Sequence, residues 1–257
     1  MSRLKVLPDR RRPLIFAHRG CSSLAPENTM GAFRLARSLK APGLELDVHL
    51  CATGELVVAH DDTFARTAGD GRRIEDLRWD EIQNLDVGAY FGGSQGAERP
   101  PLLNEVIEEF LPDLYLDIEL KTRRTAQDPL PRAVAAALAA QGKRTAGAVT
   151  VSSFNPFALR AFKKAAPSVP TAIIWCADGE LPWILRNGEG RWISTCDYLK
   201  PIHSKVTPLS MALLGRLGAR TMVPWTVDDP NLAKALVARG CGGIITNRPQ
   251  DMVPYFY

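Results

Sequence analysis

Glu45 and Asp47 stand two apart in the apolar run LELDVHL, and Glu119 and Lys121 stand two apart in YLDIELK. Strand side chains alternate between faces, so the members of each pair share one face. Two carboxylates on one face of a buried strand need compensating charge, and a divalent cation supplies it. Glu119 offers a third carboxylate beside them. An oxygen-only set suits Mg²⁺, Ca²⁺ or Mn²⁺; it does not suit zinc, because carboxylates outnumber any His or Cys ligands. Two histidines end apolar runs of their own, His18 after LIFA and His60 after LVVA. A pair of imidazoles at strand exits can move a proton in each direction, though spacing does not say which is acid and which base. Arg19 offers a planar fork of donors and Lys121 a point charge, both suited to a phosphate. Three carboxylates around one dication leave a negative balance, and these two cations offset it. That arithmetic suits a phosphodiester better than a neutral ester or a sugar.

Each residue also has a plainer reading. A lone strand-end histidine is often a satisfied core residue, and a polar strand face can simply meet solvent. Asp61 could orient an imidazole or only cap a turn. Trp225, at the end of TMVPW, could wall a pocket or pack in the core. His49 reads as a pocket-edge or structural residue, Asp117 as a structural partner, and His203 is given no chemistry. The functional reading gains because similar groups recur at several strand ends.

Those side chains need a frame that gathers strand ends. Apolar runs over 14–18, 44–50, 115–120, 148–152, 171–175, 195–199, 221–225 and 243–246 read as strands. Helical patterns over 29–39, 131–141, 156–166, 209–217 and 230–239 lie between them. Asn28 is expected to cap the first helix, and Asn155-Pro156 and Asp229-Pro230 open two others with proline in the first turn. Eightfold strand–helix alternation predicts an α/β fold, a (β/α)8 TIM barrel. An open doubly wound sheet is the alternative, but no GxGxxG follows the first strand. One stretch breaks the rhythm. After a short hairpin over 56–60, the segment at about 62–111 reads as an insertion in the loop after the second strand. It holds a Gly69-Asp70-Gly71 turn, a helix over 74–85, a glycine-rich loop over 92–96 and a helix over 102–111. The chain is read as one domain over 1–257 carrying this insertion.

The chain has 257 residues, 46% of them hydrophobic and 23% charged, enough for a sizeable core. A net charge of +4 carries no nucleic-acid signature, and the short run Arg10-Arg11-Arg12 reads as a solvated face. No apolar stretch is long enough to span a bilayer. The start of the sequence lacks a signal-peptide pattern, and five scattered cysteines form no CxxC pair. A reducing, cytoplasmic location is therefore expected.

HRG with APENTMGAF after it, then ELDVHL, VVAHDD, LDIELK, WTV and GIITNRP, resemble the glycerophosphodiester phosphodiesterase family in order and spacing, from about His18 to Pro249. The resemblance implies a TIM barrel with a metal-dependent site on its C-terminal face. It assigns one divalent cation to Glu45, Asp47 and Glu119, acid–base roles to His18 and His60, and phosphate binding to Arg19 and Lys121. The implied reaction turns a glycerophosphodiester and water into sn-glycerol 3-phosphate and an alcohol, a step of lipid and glycerol metabolism. The chain departs from the family at Asn247, where aspartate is usual, and over Cys51–Glu55, which lacks the usual threonine-x-aspartate-glycine turn. Two alternatives remain open here: a lysophospholipase D, and a non-catalytic barrel that binds phosphodiesters.

Overall fold

The run LIFAH forms β1 (Leu14–His18), and its apolar side chains serve both faces. Ile15 and Ala17 join the layer shared with the helices, whereas Leu14 and Phe16 point into a small inner cluster with Val223 and Ile245. This division follows from period-two alternation, and β2 (Gly43–Leu50) repeats it. Leu44, Leu46 and Val48 face the helices. That leaves Glu45, Asp47 and His49 on the opposite face, inside a ring of strands. The computed structural model describes residues 12–92, 96–111, 113–122, 128–176, 182–218 and 220–257. Arg10 and Arg11 of the basic run, and 93–95 of the glycine-rich loop, lie outside the described residues.

The ring continues after a hairpin strand, β3 (Leu56–Val58), which runs antiparallel to β2. Two short strands, β4 (Thr63–Phe64) and β5 (Asp70–Arg73), pair with each other apart from the main sheet. The remaining ring strands are β6 (Tyr115–Leu120), β7 (Val149–Ser153), β8 (Thr171–Trp175), β9 (Tyr198–Pro201), β10 (Thr221–Met222) and β11 (Gly243–Thr246). The sheet order is β10-β9-β8-β7-β6-β2-β1-β11, parallel throughout. Hydrogen bonds from Gly242 N to Met222 O (3.0 Å) and from Ile245 N to Pro224 O (3.0 Å) join its two ends. The eight parallel strands thus close into a (β/α)8 barrel, as the alternation predicts.

Several boundaries differ from the sequence reading. The sixth ring strand begins at Tyr198, not at 195. Thr195 instead ends a short helix, Gly190–Ser194, in the left-handed conformation (φ 52°). The seventh is regular only over Thr221–Met222, because Pro224 has no N–H to give the ladder. Val223 N and Trp225 N still bond to Leu199 O and Pro201 O, so the strand path continues. The helix expected over 74–85 is two single turns, Ile74–Asp76 and Trp79–Ile82, separated by extended backbone at Leu77 and Arg78. Phe64, Ile74, Leu77, Ile82 and Val87 of this region form their own apolar cluster with Cys51, Val57 and Ala59.

Candidate active site

Parallel strands of a barrel deliver their C-terminal ends to one face, and the charged residues gather there. In register, His18 lies beside Glu45, Glu45 beside Asp117, and Asp47 beside Glu119. Glu45, Asp47 and Glu119 are all buried, and one carboxylate oxygen from each lies within 4.8 Å of the others. Burial, then the charges of Asp47 and Glu119, push the Glu45 carboxyl well above its usual range. Burial acts the same way on Asp47, but Lys121 and Arg19 outweigh it and hold this carboxyl far below its usual range. Lys121 Nζ stands 3.1 Å from Glu119 and 3.6 Å from Asp47, and Arg19 Nε stands 3.3 Å from Asp47. The all-carboxylate donor set and the unrelieved repulsion at Glu45 fit a hard divalent cation.

The turn after β1 brings Arg19 back over this cluster. Arg19 (φ 55°) and Gly20 (φ 83°) are both left-handed, which aims the Arg19 N–H at Glu45 Oε2, 3.1 Å away. Only glycine fits at position 20, since a Cβ there would meet the Ala32 carbonyl carbon at 2.7 Å. The buried Arg19 Nε makes no aligned hydrogen bond.

Asn28 does not cap the first helix, Met30–Ser38. Thr29 does so, its hydroxyl accepting from Ala32 N at 3.1 Å. Asn28 is buried, has a φ of 56°, and turns its amide onto Asp47 instead (Nδ2 to Oδ2, 2.9 Å). A left-handed residue cannot be an ordinary N-cap, so the cap moves one position on.

Both histidines are tethered through Nδ1. His18 Nδ1 bonds Asn247 Oδ1 at 2.6 Å. The Asn247 Nδ2 amide donates to Asp228 Oδ2 (2.7 Å), which fixes the amide oxygen toward His18. His18 Nδ1 must therefore carry the proton, leaving Nε2 with a free lone pair 3.8 Å from Glu45. Burial, then the Arg19 charge, lower the His18 pKa to about 4. His60 Nδ1 instead meets a charged acceptor, Asp61 Oδ1, at 2.8 Å. His49 supports this loop by donating its Nε2–H to His60 O (3.3 Å). Ala59 N donates to Asp47 O at 3.1 Å, which sets His60 next to the carboxylate strand, so the two imidazoles border one site.

A family model, the glycerophosphoryl diester phosphodiesterase family, matches residues 18–251. The chain belongs to this family. Among its relatives is a glycerophosphodiester phosphodiesterase of Caldanaerobacter subterraneus, 32% identical over 243 residues, 94% of this chain and 97% of that one. Another, from Bacillus altitudinis, is 30% identical over 246 residues, 93% of this chain and 96% of that one. A solved Oleispira antarctica phosphodiesterase in complex with the product sn-glycerol-3-phosphate superposes with a TM-score of 0.78. Its identity is 27%, covering 95% of this chain and 96% of that one. Like its family, the protein is a phosphoric diester hydrolase.

Not every expected residue sits at the centre. Trp225 is half-buried, its ring edge-on to Phe154 at 5.5 Å and its Nε1–H on Lys200 O at 3.0 Å. Sequence reasoning missed Glu27, Arg66, Asp228 and Lys200. Glu27 lies in the PENT segment and accepts from Arg19 Nη1 at 3.0 Å. Lys200 pairs with Asp117 inside the barrel and donates to Ser152 Oγ at 2.9 Å. The strand begins at Tyr198, which puts Lys200 inside it, and no local pattern in the sequence showed that its side chain meets Asp117. Among the described residues, no helix is long and apolar enough to cross a membrane.

Proposed function

We propose that the protein hydrolyses glycerophosphodiesters to sn-glycerol 3-phosphate and an alcohol at this site. Glu45, Asp47 and Glu119 hold one divalent cation, with Mg²⁺, Ca²⁺ and Mn²⁺ all suited to their oxygens. When bound, that ion polarises the phosphoryl group and offsets developing charge. Arg19 and Lys121 bind and orient the phosphate, and Trp225 borders the alcohol side. The observation that carries the reading is the unequal tethering of two imidazoles beside one buried carboxylate trio.

Burial and the Arg19 charge keep the His18 ring uncharged, and the Asn247 amide oxygen holds the ring proton on Nδ1. Nε2 therefore takes a proton from the nucleophile, either water directly or the glycerol 2-hydroxyl with water then opening the cyclic phosphate. Asp61 presents a full negative charge to His60, which suits an imidazolium that gives its proton to the departing alkoxide. A leaving group that needs no proton tests this division. The wild type should release sn-glycerol 3-phosphate from glycerophosphocholine only after cation is restored to EDTA-treated protein. His18→Ala should lose activity on both glycerophosphocholine and a p-nitrophenyl diester of glycerol phosphate. His60→Ala should lose it on the first and keep it on the second. Loss in the reverse pattern exchanges the roles, and full activity in both variants removes them.

Trp183 and Ile184, 78% and 52% exposed, lie in the segment between β8 and β9, and such apolar side chains would suit lysophospholipids as a second substrate class if they border the site. Release of choline and lysophosphatidic acid from lysophosphatidylcholine, the lysophospholipase D reaction, would support it. All five cysteines are buried, in keeping with a reducing cytoplasm as the place of action.

A further inference from the structure

The inserted segment sends one side chain into the site's surroundings. Arg66, on the four-residue turn Ala65–Ala68, reaches two carboxylates from distant parts of the sequence. Its Nε donates to Asp61 Oδ2 at 2.8 Å, and its Nη2 donates to Glu27 Oε1 at 2.6 Å. The other oxygen of Asp61 holds His60, and the same Glu27 oxygen also receives Arg19 Nη1. The guanidinium carbon stands 5.6 Å from the centre of the Tyr90 ring, and the Tyr90 hydroxyl accepts from Glu27 N at 3.2 Å. One planar fork thus closes a continuous path from His60 through Asp61, Arg66 and Glu27 to Arg19.

We propose that Arg66 is a positioning residue that sets His60 and Arg19 against each other. It touches neither the carboxylate trio nor a reacting atom. Two features separate this from a structural ion pair. Arg66 has 45% of its side chain exposed, and pairs that wet add little to stability. The segment's own apolar cluster around Phe64, Ile74 and Leu77 packs it onto the barrel without Arg66. The fork matters more than the charge, because a lysine ammonium offers no planar pair of donors to span Asp61 and Glu27.

The inference rests on the hydrolase reading above, so the wild type is assayed first on glycerophosphocholine with cation present. Arg66→Ala should lose activity by on the order of 10–100-fold, as supporting residues of such sites do, with kcat lowered and KM raised. Its thermal midpoint should stay within about 2 °C of wild type. The two arms separate in pairs. In an Asp61→Asn background Arg66→Ala should lower kcat much less than it does in the wild type, and in a Glu27→Gln background it should raise KM much less. Added guanidinium should restore part of the activity of Arg66→Ala, and Arg66→Lys should restore less than the full arginine. Arg66→Ala with kcat and KM within about twofold of wild type overturns the inference. So does a loss that is additive with both partners and that guanidinium does not restore.

A silent wild type would remove the hydrolase reading instead. The inference then stands or falls on ring ¹⁵N spectra and product binding. Arg66→Ala should shift His60 Nδ1 while leaving His18 unchanged, and should weaken sn-glycerol 3-phosphate binding in calorimetry. Unchanged spectra and unchanged affinity overturn it.

Discussion

At the scale of single residues, Glu45 is out of balance when no cation is bound. Buried beside Asp47 and Glu119, its carboxyl keeps a proton above the usual carboxylate range. The sign follows directly. A carboxyl raised in the fold stabilises the metal-free protein below its ordinary pKa, and that contribution fades as pH rises through the raised value. A dication reverses this, since it needs the carboxylate and must expel the proton. Wherever the raised carboxyl still holds its proton, cation binding should therefore release protons, and affinity should climb with pH through that range. Calorimetry in buffers of different ionisation enthalpy reads the release. Glu45→Gln should bind more weakly and release fewer protons. Identical proton release in both proteins would show that Glu45 is not the group that titrates.

At the scale of elements, alternation made the strands and their inward residues legible, because polar residues at every second position of β2 and β6 have one explanation inside a barrel. Helix openings at Asn155 and Asp229 were legible too, since proline follows each, and both side chains accept from first-turn N–H groups. What the sequence hid was conformation that only long-range contacts impose. Asn28 and Thr29 are both good cap residues, and nothing local says that Asp47 draws the first away. The interior of the segment over 62–111 was hidden for the same reason. Its apolar spacing over 74–85 fits a helix, yet Leu77 is drawn into the cluster with Phe64 and Val57, which breaks the run. Asn28 and Thr29 should separate by experiment. Thr29→Ala removes a cap and should cost about 1 kcal/mol in urea unfolding while cation affinity holds. Asn28→Gly keeps the left-handed backbone and removes the amide that orients Asp47. It should weaken cation binding by about tenfold with little loss of stability. Equal effects of the two on both readouts would return Asn28 to the role of a cap.

At the scale of the whole molecule, the barrel interior is layered. Leu14, Phe16, Val223 and Ile245 form an apolar floor. Asp117, Ser152 and Lys200 form a buried polar cluster against the carboxylate trio, with Asp117 in register with Glu45 and Ser152 with Glu119. Asp117 shares its strand face with Glu119 and pairs in register with Glu45. Its charge pushes the Glu45 carboxyl up, and Lys200 pulls it down. Lys200 thus neutralises a fourth carboxylate, so that a dication held as proposed would have only three to balance. A charge pair this deep gains little over apolar packing, but half of it is costly. Lys200→Met should destabilise the fold by about 3–5 kcal/mol in urea unfolding, because Asp117 loses its cation. Replacing both, with Asp117→Leu and Lys200→Met, should recover stability to within about 1 kcal/mol of wild type. If the pair serves only to fill space, Lys200→Met alone would cost no more than the double variant. If it balances the carboxylate trio, the single variant should also bind the cation with altered affinity, while the double variant, which removes both charges, should bind nearly as the wild type does.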